Sequence, residues 1–335
     1  MRRCLELAKK GEGNVSPNPM VGCVIVYNEK IIGEGYHQKY KSAHAEVNAI
    51  NNVKNKDLLK DSSLYVNLEP CTHHGNTPPC NDLIIKSNIP KVIIGSRDID
   101  PKVMKDDGIE KMIKNGISVK TKILEKECRD LNKRFFKFYE KKRPYIILKW
   151  AESKDGFIAP LNQNKPLWIS SKESKKLVHK YRGIEDAILV GRITAEKDNP
   201  SLTVREIDNY NNPIRIILDK DLKLNKSLKI FNDDAKTIIF NSKVTHNIKS
   251  NYFIKINYNN LLDGILKELY QQKIQSIIVE GGKQTLDTFI QHNMWDEAHV
   301  FLTDKILNDG VSAPIINGSL ISEEEISNDI LRIYK

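Results

Sequence analysis

Short apolar runs alternate with stretches of helical periodicity along the whole chain, and this alternation predicts layered α/β structure. MVGCVIVYNEKIIGEGYH reads as two strands around a turn at Asn28 to Lys30. A helix over residues 44–53 follows, then a strand in SSLYVNLEP and a helix over residues 80–87. KVIIGSRD (91–98) is a buried strand, and GISVKTKIL supplies one more ahead of a charged helix. ECRDLNKRFFKFYEKKRPYIILKW passes from helix through a basic hinge and Pro144 into a new apolar strand, which sets a boundary between residues 142 and 143. Beyond it, AILVGRITA, IRIILD, KTIIF, SIIVEGG and EAHVFL are strand candidates, with helices near 171–182, 259–270 and 282–291. The halves do not repeat one another, so 1–142 and 143–335 are two unlike α/β domains that need two explanations.

At 335 residues the chain is long for one core, and 40% hydrophobic with 29% charged residues is a globular balance. No run of about 18 apolar residues marks a membrane span, and MRRCLELAKKGEG is too interrupted by charge for a secretory signal. The formal charge of +10 comes from lysines scattered without a dominant basic block, which favours an anionic small substrate or compositional drift over a nucleic-acid partner. Five cysteines, odd in number and without an export signal, indicate a reduced cytoplasmic protein.

His44, Glu46, Cys71 and Cys80 combine soft metal ligands with a nearby carboxylate, the donor set that suits zinc with a fourth position left for water. Residues two apart on a helix point about 200° from each other, so Glu46 is not a second ligand beside His44. At a helix start it can instead lie beside the bound water and handle its protons. In EPCTHHGNTPPC, Thr77 is a candidate N-cap, with Pro78 and Pro79 in the first helical turn and Cys80 where the helix dipole favours a thiolate. Taken singly, each residue is more often packing than ligand. His73 and His74, between the two thiolates, are alternative ligands or substrate contacts.

HAE followed by EPCTHHGNTPPC resembles the cytidine-deaminase superfamily, specifically the riboflavin-pathway pyrimidine deaminase, in which eight residues separate the cysteines; PNPMVGCVIV and GEGYHQKYKSAHAE fit the same family. The resemblance implies a three-layer fold, zinc on His44, Cys71 and Cys80, and Glu46 as the catalytic proton carrier. Zinc there would acidify its water to a pKa of about 7, and Glu46 would pass protons to the ring nitrogen and to the departing ammonia. Asn18, His37 and His74 are the implied substrate contacts. Asn76, where the family has Lys or Arg, and Asp100, where it has Asn, depart from the pattern and lessen the positive field toward an anionic substrate.

No G-x-G-x-x-G follows any strand, so a Rossmann fold has no direct support. VEGGKQTL sets two glycines between a strand and a helix, a layout that can hold a phosphate but often serves only sterics. Trp168 alone could be core and Arg182 a solvated helix charge. LKWAESKDGFIA, PLWISSKES, AILVGRITAEKDNPSLTVR and IIVEGG nevertheless resemble, in order, the riboflavin-pathway reductase, whose fold is similar to dihydrofolate reductase. That resemblance implies NADPH contacts at Ala151, Trp168, Thr194, Asp198, Gly281, Gly282, Gln284 and Thr285. It implies substrate contacts at Arg182, Leu202, Arg205 and Glu280, the arginines taking a phosphate. Lys149 and Asp198 are the polar pair expected to serve catalysis, since the sugar reduction needs a proton as well as a hydride.

The expected protein is therefore a bifunctional zinc deaminase and NADPH reductase of riboflavin biosynthesis. Its expected partners are a phosphorylated pyrimidine and a second copy of the chain, without nucleic acid or membrane. A nucleic-acid base deaminase with an accessory domain shares the zinc chemistry but needs neither the long Cys71–Cys80 excursion nor a second domain. A chain with only one activity retained is the third reading.

Overall fold

The structure is a computed structural model that describes residues 1–74, 78–161 and 167–335. The chain divides into two compact units, Met1–Lys141 and Lys142–Lys335.

In the first unit, helix α1 (Arg2–Lys9) precedes the hairpin β1 (Gly22–Tyr27) and β2 (Lys30–Tyr36), whose two-residue turn puts both Asn28 and Glu29 at positive φ. Helix α2 (Ala45–Asn51), β3 (Ser63–Leu68), α3 (Cys80–Lys86), β4 (Lys91–Ser96), α4 (Pro101–Met104), α5 (Gly108–Lys114), β5 (Ser118–Lys120), α6 (Glu125–Leu131) and α7 (Lys133–Lys141) follow. The sheet order is β2-β1-β3-β4-β5, with β3, β4 and β5 parallel and β1 antiparallel to both neighbours. Alternation along β1 feeds two cores: Cys23 and Ile25 pack with Ala45, Ala49 and Ile84 from α2 and α3, while Val24 packs with Cys4 and Leu7 of α1. The unit is thus a three-layer α/β/α structure. Parallel strands open their carboxyl ends to ligands, and Cys71 follows three residues after β3 on that edge.

In the second unit the elements are β6 (Tyr145–Glu152), β7 (Phe157–Ala159), α8 (Lys172–Ile184), β8 (Ala187–Gly191), α9 (Arg192–Asp198), β9 (Ile214–Leu218), β10 (Thr237–Asn241), β11 (His246–Ile248) and β12 (Asn251–Lys255). Then come α10 (Leu261–Gln271), β13 (Ser276–Val279), α11 (Lys283–Gln291), β14 (Glu297–Leu302), β15 (Val311–Ser312), β16 (Leu320–Ile326) and β17 (Asp329–Tyr334). A ten-stranded sheet runs β11-β12-β10-β9-β8-β13-β6-β14-β17-β16, parallel from β12 to β14 and antiparallel at both margins. Ile146, Leu148, Leu189 and Ile277 face α10 and α11, and Ile147, Ile188, Val190 and Ile278 face the opposite side. These strands are apolar on both faces because both are covered.

Several elements depart from the sequence expectation. Helix α2 is shorter than 44–53, and His44 is its N-cap. Helix α3 starts at Cys80 with extended Pro79 as its N-cap, so the two prolines precede the helix and do not occupy its first turn. Thr77, proposed as the cap, lies outside the described residues, as does Asn76. The strand expected across AILVGRITA ends at Gly191, and Arg192–Asp198 is helical. Helix α1 and the C-terminal hairpin β16–β17 were not foreseen.

Candidate functional site

Two candidate sites form, one in each unit. In the first, the β3–α3 connection and the N-terminus of α2 bring three soft donors together. His44 Nδ1 lies 3.5 Å from Cys71 Sγ and 3.3 Å from Cys80 Sγ, and all three ligand atoms lie within 4.8 Å of one another. Zinc bonds of about 2.3 Å to sulfur and 2.0–2.1 Å to nitrogen, at tetrahedral angles, separate N from S by about 3.5 Å. The donors therefore fit zinc as they stand. His73 and His74 are not part of this cluster among the described residues, and His74 is exposed.

The electrostatics suit a cation. The hydrogen bond from Cys80 pulls the Cys71 thiol well below its ordinary value, with His44 contributing, and the same contact raises His44. A thiolate at this position attracts a cation, and metal binding would release the protons that remain on the three donors. Glu46, in the first turn of α2, is 3% exposed, and burial pushes its carboxyl up to about 7 with the Cys71 charge adding to the rise. A buried carboxyl poised near neutrality can both accept and return a proton.

Asn18 and His37 form the wall beside the metal ligands. The His37 ring stands edge-on to His44 with centroids 5.4 Å apart. Its Nδ1 lies 3.1 Å from the Ala43 carbonyl oxygen, which can only accept, so Nδ1 carries the hydrogen. Nε2 is then bare and accepts from Asn18 Nδ2 at 3.1 Å. That chain of bonds fixes the Asn18 amide and leaves its Oδ1 as the acceptor edge. Burial lowers the His37 pKa and keeps the ring neutral. Asp100 plays a structural part: it caps α4 by accepting from Lys102 N–H and accepts from the Tyr139 hydroxyl at 2.8 Å.

In the second unit, the carboxyl ends of β6, β8, β13 and β9 open onto one cavity of about 920 Å³. Lys149, Ala151, Trp168, Thr194, Asp198, Glu280, Gly281, Gly282, Gln284 and Thr285 all line it. Trp168 is 45% exposed at its edge, with Lys175 Nζ over the ring at 5.6 Å, so it is not core. Two loops interlock here. Thr194 Oγ1 accepts from Gly282 N–H at 2.9 Å, and a Cβ on Gly281 would come within 2.7 Å of Thr285 Cβ. Gly282 is the N-cap of α11, and the two glycines form a tight cradle at this helix start in which the backbone packs directly on Thr194 and Thr285. Glycine cradle, helix start, aromatic edge and volume together fit a dinucleotide.

Sequence reasoning did not pick out the cationic lining of Arg192, Lys197, Lys220 and Lys283, whose only sequence signal is position just beyond strand ends. The expected pairing of Lys149 with Asp198 takes a different form. Both line the cavity, but the charged neighbours of Lys149 are Glu280 and Arg182, and that of Asp198 is Lys197. Burial lowers the Lys149 pKa and raises that of Asp198.

Arg182, Leu202 and Arg205 do not line the cavity. Arg182, on α8, donates Nε and Nη2 to the two carboxylate oxygens of Glu280 at 3.1 and 2.7 Å. Although buried, Glu280 is held down to about 2 by the charges of Arg182 and Lys149. Arg205 is exposed, with Nη1 on Thr203 Oγ1 at 2.7 Å and its backbone N–H on His179. Leu202 is 2% exposed in the core at positive φ, so only its backbone could meet a ligand.

Residues 1–96 match the cytidine and deoxycytidylate deaminase zinc-binding region, and residues 144–328 match the RibD C-terminal domain. The riboflavin biosynthesis protein RibD of Aquifex aeolicus is 42% identical over 319 residues, covering 93% of this chain and 88% of that protein. The Escherichia coli protein of the same name is 34% identical, covering 92% and 87%. A Thermotoga maritima structure described as a diaminohydroxyphosphoribosylaminopyrimidine deaminase/5-amino-6-(5-phosphoribosylamino)uracil reductase is similar at TM-score 0.90 and 37% identity, covering 100% of this chain and 97% of that one. Acinetobacter baumannii RibD is similar at TM-score 0.89 and 28% identity, covering 99% and 96%.

Proposed function

The chain belongs to the RibD family of riboflavin biosynthesis proteins, and on that premise we propose how each half acts. The protein is a bifunctional enzyme with deaminase and reductase activities. Residues 1–142 deaminate a diaminopyrimidine ribosyl 5′-phosphate by hydrolysis, and residues 143–335 reduce the ribosyl group of that product to ribityl with NADPH. The observation that carries the first assignment is the His44, Cys71 and Cys80 triangle with buried Glu46 beside it.

Zinc, when bound there, supplies Lewis acidity that brings a water's pKa to about 7. Glu46 takes one proton of the attacking water and delivers it to the pyrimidine ring nitrogen, then takes the second from the new C–OH group and gives it to the amino group as the C–N bond breaks, leaving a carbonyl and ammonia. Asn18 Oδ1, held by His37, accepts from the pyrimidine edge and orients the ring, and His74 closes the substrate side.

NADPH, when bound in the second unit, supplies a hydride. Gly281, Gly282, Gln284 and Thr285 at the start of α11 receive its phosphates, Thr194 fixes that turn, and Ala151, Trp168 and Asp198 complete its walls. Lys149, with its pKa lowered by burial, and Asp198, with its pKa raised by burial, both line the cavity and are the pair assigned to supply the proton. Glu280 orders Arg182, and Arg182 with Arg205 takes the substrate phosphate beside the Leu202 backbone.

The requirement for a reduced Cys71–Cys80 pair supports a reducing, cytoplasmic setting. Exposed Leu320 and Ile321 on the edge strand β16, with exposed Ile315 in the segment before it, support self-association, which sedimentation velocity tests. The role of Glu46 is tested by Glu46→Gln, which should retain zinc while ammonia release falls about 10²- to 10⁴-fold. Full deamination by the zinc-loaded variant overturns the assignment.

A further inference from the structure

Helix α8 sets His179 and Arg182 three residues apart on one face. His179 is fully buried, at 0% exposure, and its two ring nitrogens are in opposite situations. Nδ1 lies 3.2 Å from the backbone N–H of Arg205, a group that can only donate. Nδ1 must therefore be the bare, accepting nitrogen, and the ring hydrogen sits on Nε2. Nε2–H is a buried donor with no acceptor among the described residues. Such a group is costly to leave unmatched and is rare in folded proteins unless a ligand completes it.

The surroundings state what kind of ligand is missing. Arg182 commits Nε and Nη2 to Glu280, and in doing so occupies both carboxylate oxygens. Arg205 carries its exposed guanidinium from the same short segment whose backbone His179 holds. Glu206, the next carboxylate, is engaged by Lys175 at 2.6 Å. Donors outnumber acceptors here, and the nearby acids are already paired. Burial and the two arginine charges push His179 down to about 4, so at neutral pH the ring is neutral with a single N–H to offer. A phosphate monoester, with oxygens that only accept, matches this surplus; a cation or a ligand rich in N–H groups does not.

We propose that His179 Nε2–H is a third donor to the phosphate of the reductase substrate, alongside Arg182 and Arg205, and thereby a specificity-determining residue of that reaction. The proposal rests on the phosphate contacts assigned to those two arginines above. His179 has two separable functions: its Nδ1 anchors the Arg205 segment, and its Nε2–H reads the phosphate.

Two isosteric substitutions divide these functions. The His179→Asn amide can reproduce the Nδ1 acceptor but not the Nε2 donor, whereas the His179→Gln amide nitrogen reaches the Nε2 position. Full-length zinc-loaded enzyme is assayed by NADPH oxidation with 5-amino-6-(5-phosphoribosylamino)uracil and with its dephosphorylated riboside. His179→Asn should raise KM for the phosphorylated substrate about ten-fold, leave kcat and the KM for NADPH unchanged, and have no effect with the riboside. His179→Gln should stay close to wild type in every parameter. The reverse ranking, with Asn tolerated and Gln impaired, would make His179 only an anchor and overturn the proposal. Equal behaviour of both variants and wild type would overturn it too, as would an Asn penalty of the same size on the riboside. Arg205→Ala separates the wider reading: if it raises KM for the phosphorylated substrate alone while His179→Asn is silent, the arginine assignment stands and the histidine falls. If neither substitution responds to the phosphate, both fall.

Discussion

Replacing Arg182 by Met should convert a stabilising pair into an unpaired buried charge. Glu280 and Arg182 side chains are 10% and 8% exposed, and their two hydrogen bonds form a forked contact. The Glu280 pKa falls from 4.5 to about 2 despite its burial, which corresponds to about 3 kcal/mol of stability above pH 4.5. Its sign is that of a depressed acid: the stabilisation is complete above the unfolded pKa and is lost as pH falls from 4.5 toward 2. Without Arg182, burial dominates and the carboxyl pKa rises, although Lys149 still attracts it. The expected loss at pH 8 is about 3–5 kcal/mol, shrinking as pH falls and Glu280 takes up a proton. Arg182→Met with Glu280→Gln should recover most of it, because no charge is then left buried. Urea unfolding followed by tryptophan fluorescence isolates the relevant unit, since all three tryptophans (Trp150, Trp168 and Trp295) lie beyond residue 142. A penalty below about 1 kcal/mol, or one that does not change between pH 8 and pH 5, would refute the reasoning.

Two further outcomes follow from the cavities. Asp198→Asn removes a carboxyl that burial keeps above its ordinary pKa, and it should lower reductase turnover more than NADPH affinity; weakened binding at unchanged turnover would confine Asp198 to the cofactor wall. Chelation of zinc, or Cys80→Ser, should abolish ammonia release while sparing NADPH oxidation with the already deaminated substrate, because the triangle and the second cavity lie in separate units; parallel loss of both activities would contradict that independence.

The metal site was legible because zinc chemistry restricts residue types so sharply. His44, Glu46, Cys71 and Cys80 are recognisable before any contact is known, and the prolines beside Cys80 announce a helix start even though they stand just outside it. The cavity glycines gave only a weak signal of their own, a turn between a strand and a helix, and Trp168 taken alone could have been core; both were placed at a cofactor site by the resemblance to the reductase family. Arg182 was legible as a residue but not as half of a pair, since Glu280 is 98 positions away. Leu202 gave no sign that its side chain belongs to the core and its backbone to positive φ. RITA after AILVG carries β-branched residues and reads as more strand, yet tertiary packing makes it helical from Arg192 onward. LISEEEI carries little apolar alternation because β16 is an edge strand with one neighbour, so its pattern resembles a loop. His179 is one histidine on an amphipathic helix; only the burial of an unmatched N–H distinguishes it.

If one chain performs both steps in order, ammonia release and NADPH oxidation follow one another in a single reaction. Zinc-loaded enzyme is given the diaminopyrimidine ribosyl 5′-phosphate and NADPH, with ammonia and NADPH monitored separately. One ammonia is expected per NADPH oxidised, with ammonia appearing first; in Glu46→Gln both signals should be suppressed, and adding the already deaminated substrate should restore NADPH oxidation alone. NADPH oxidation that precedes ammonia release, or ammonia release that is never followed by oxidation, would contradict it.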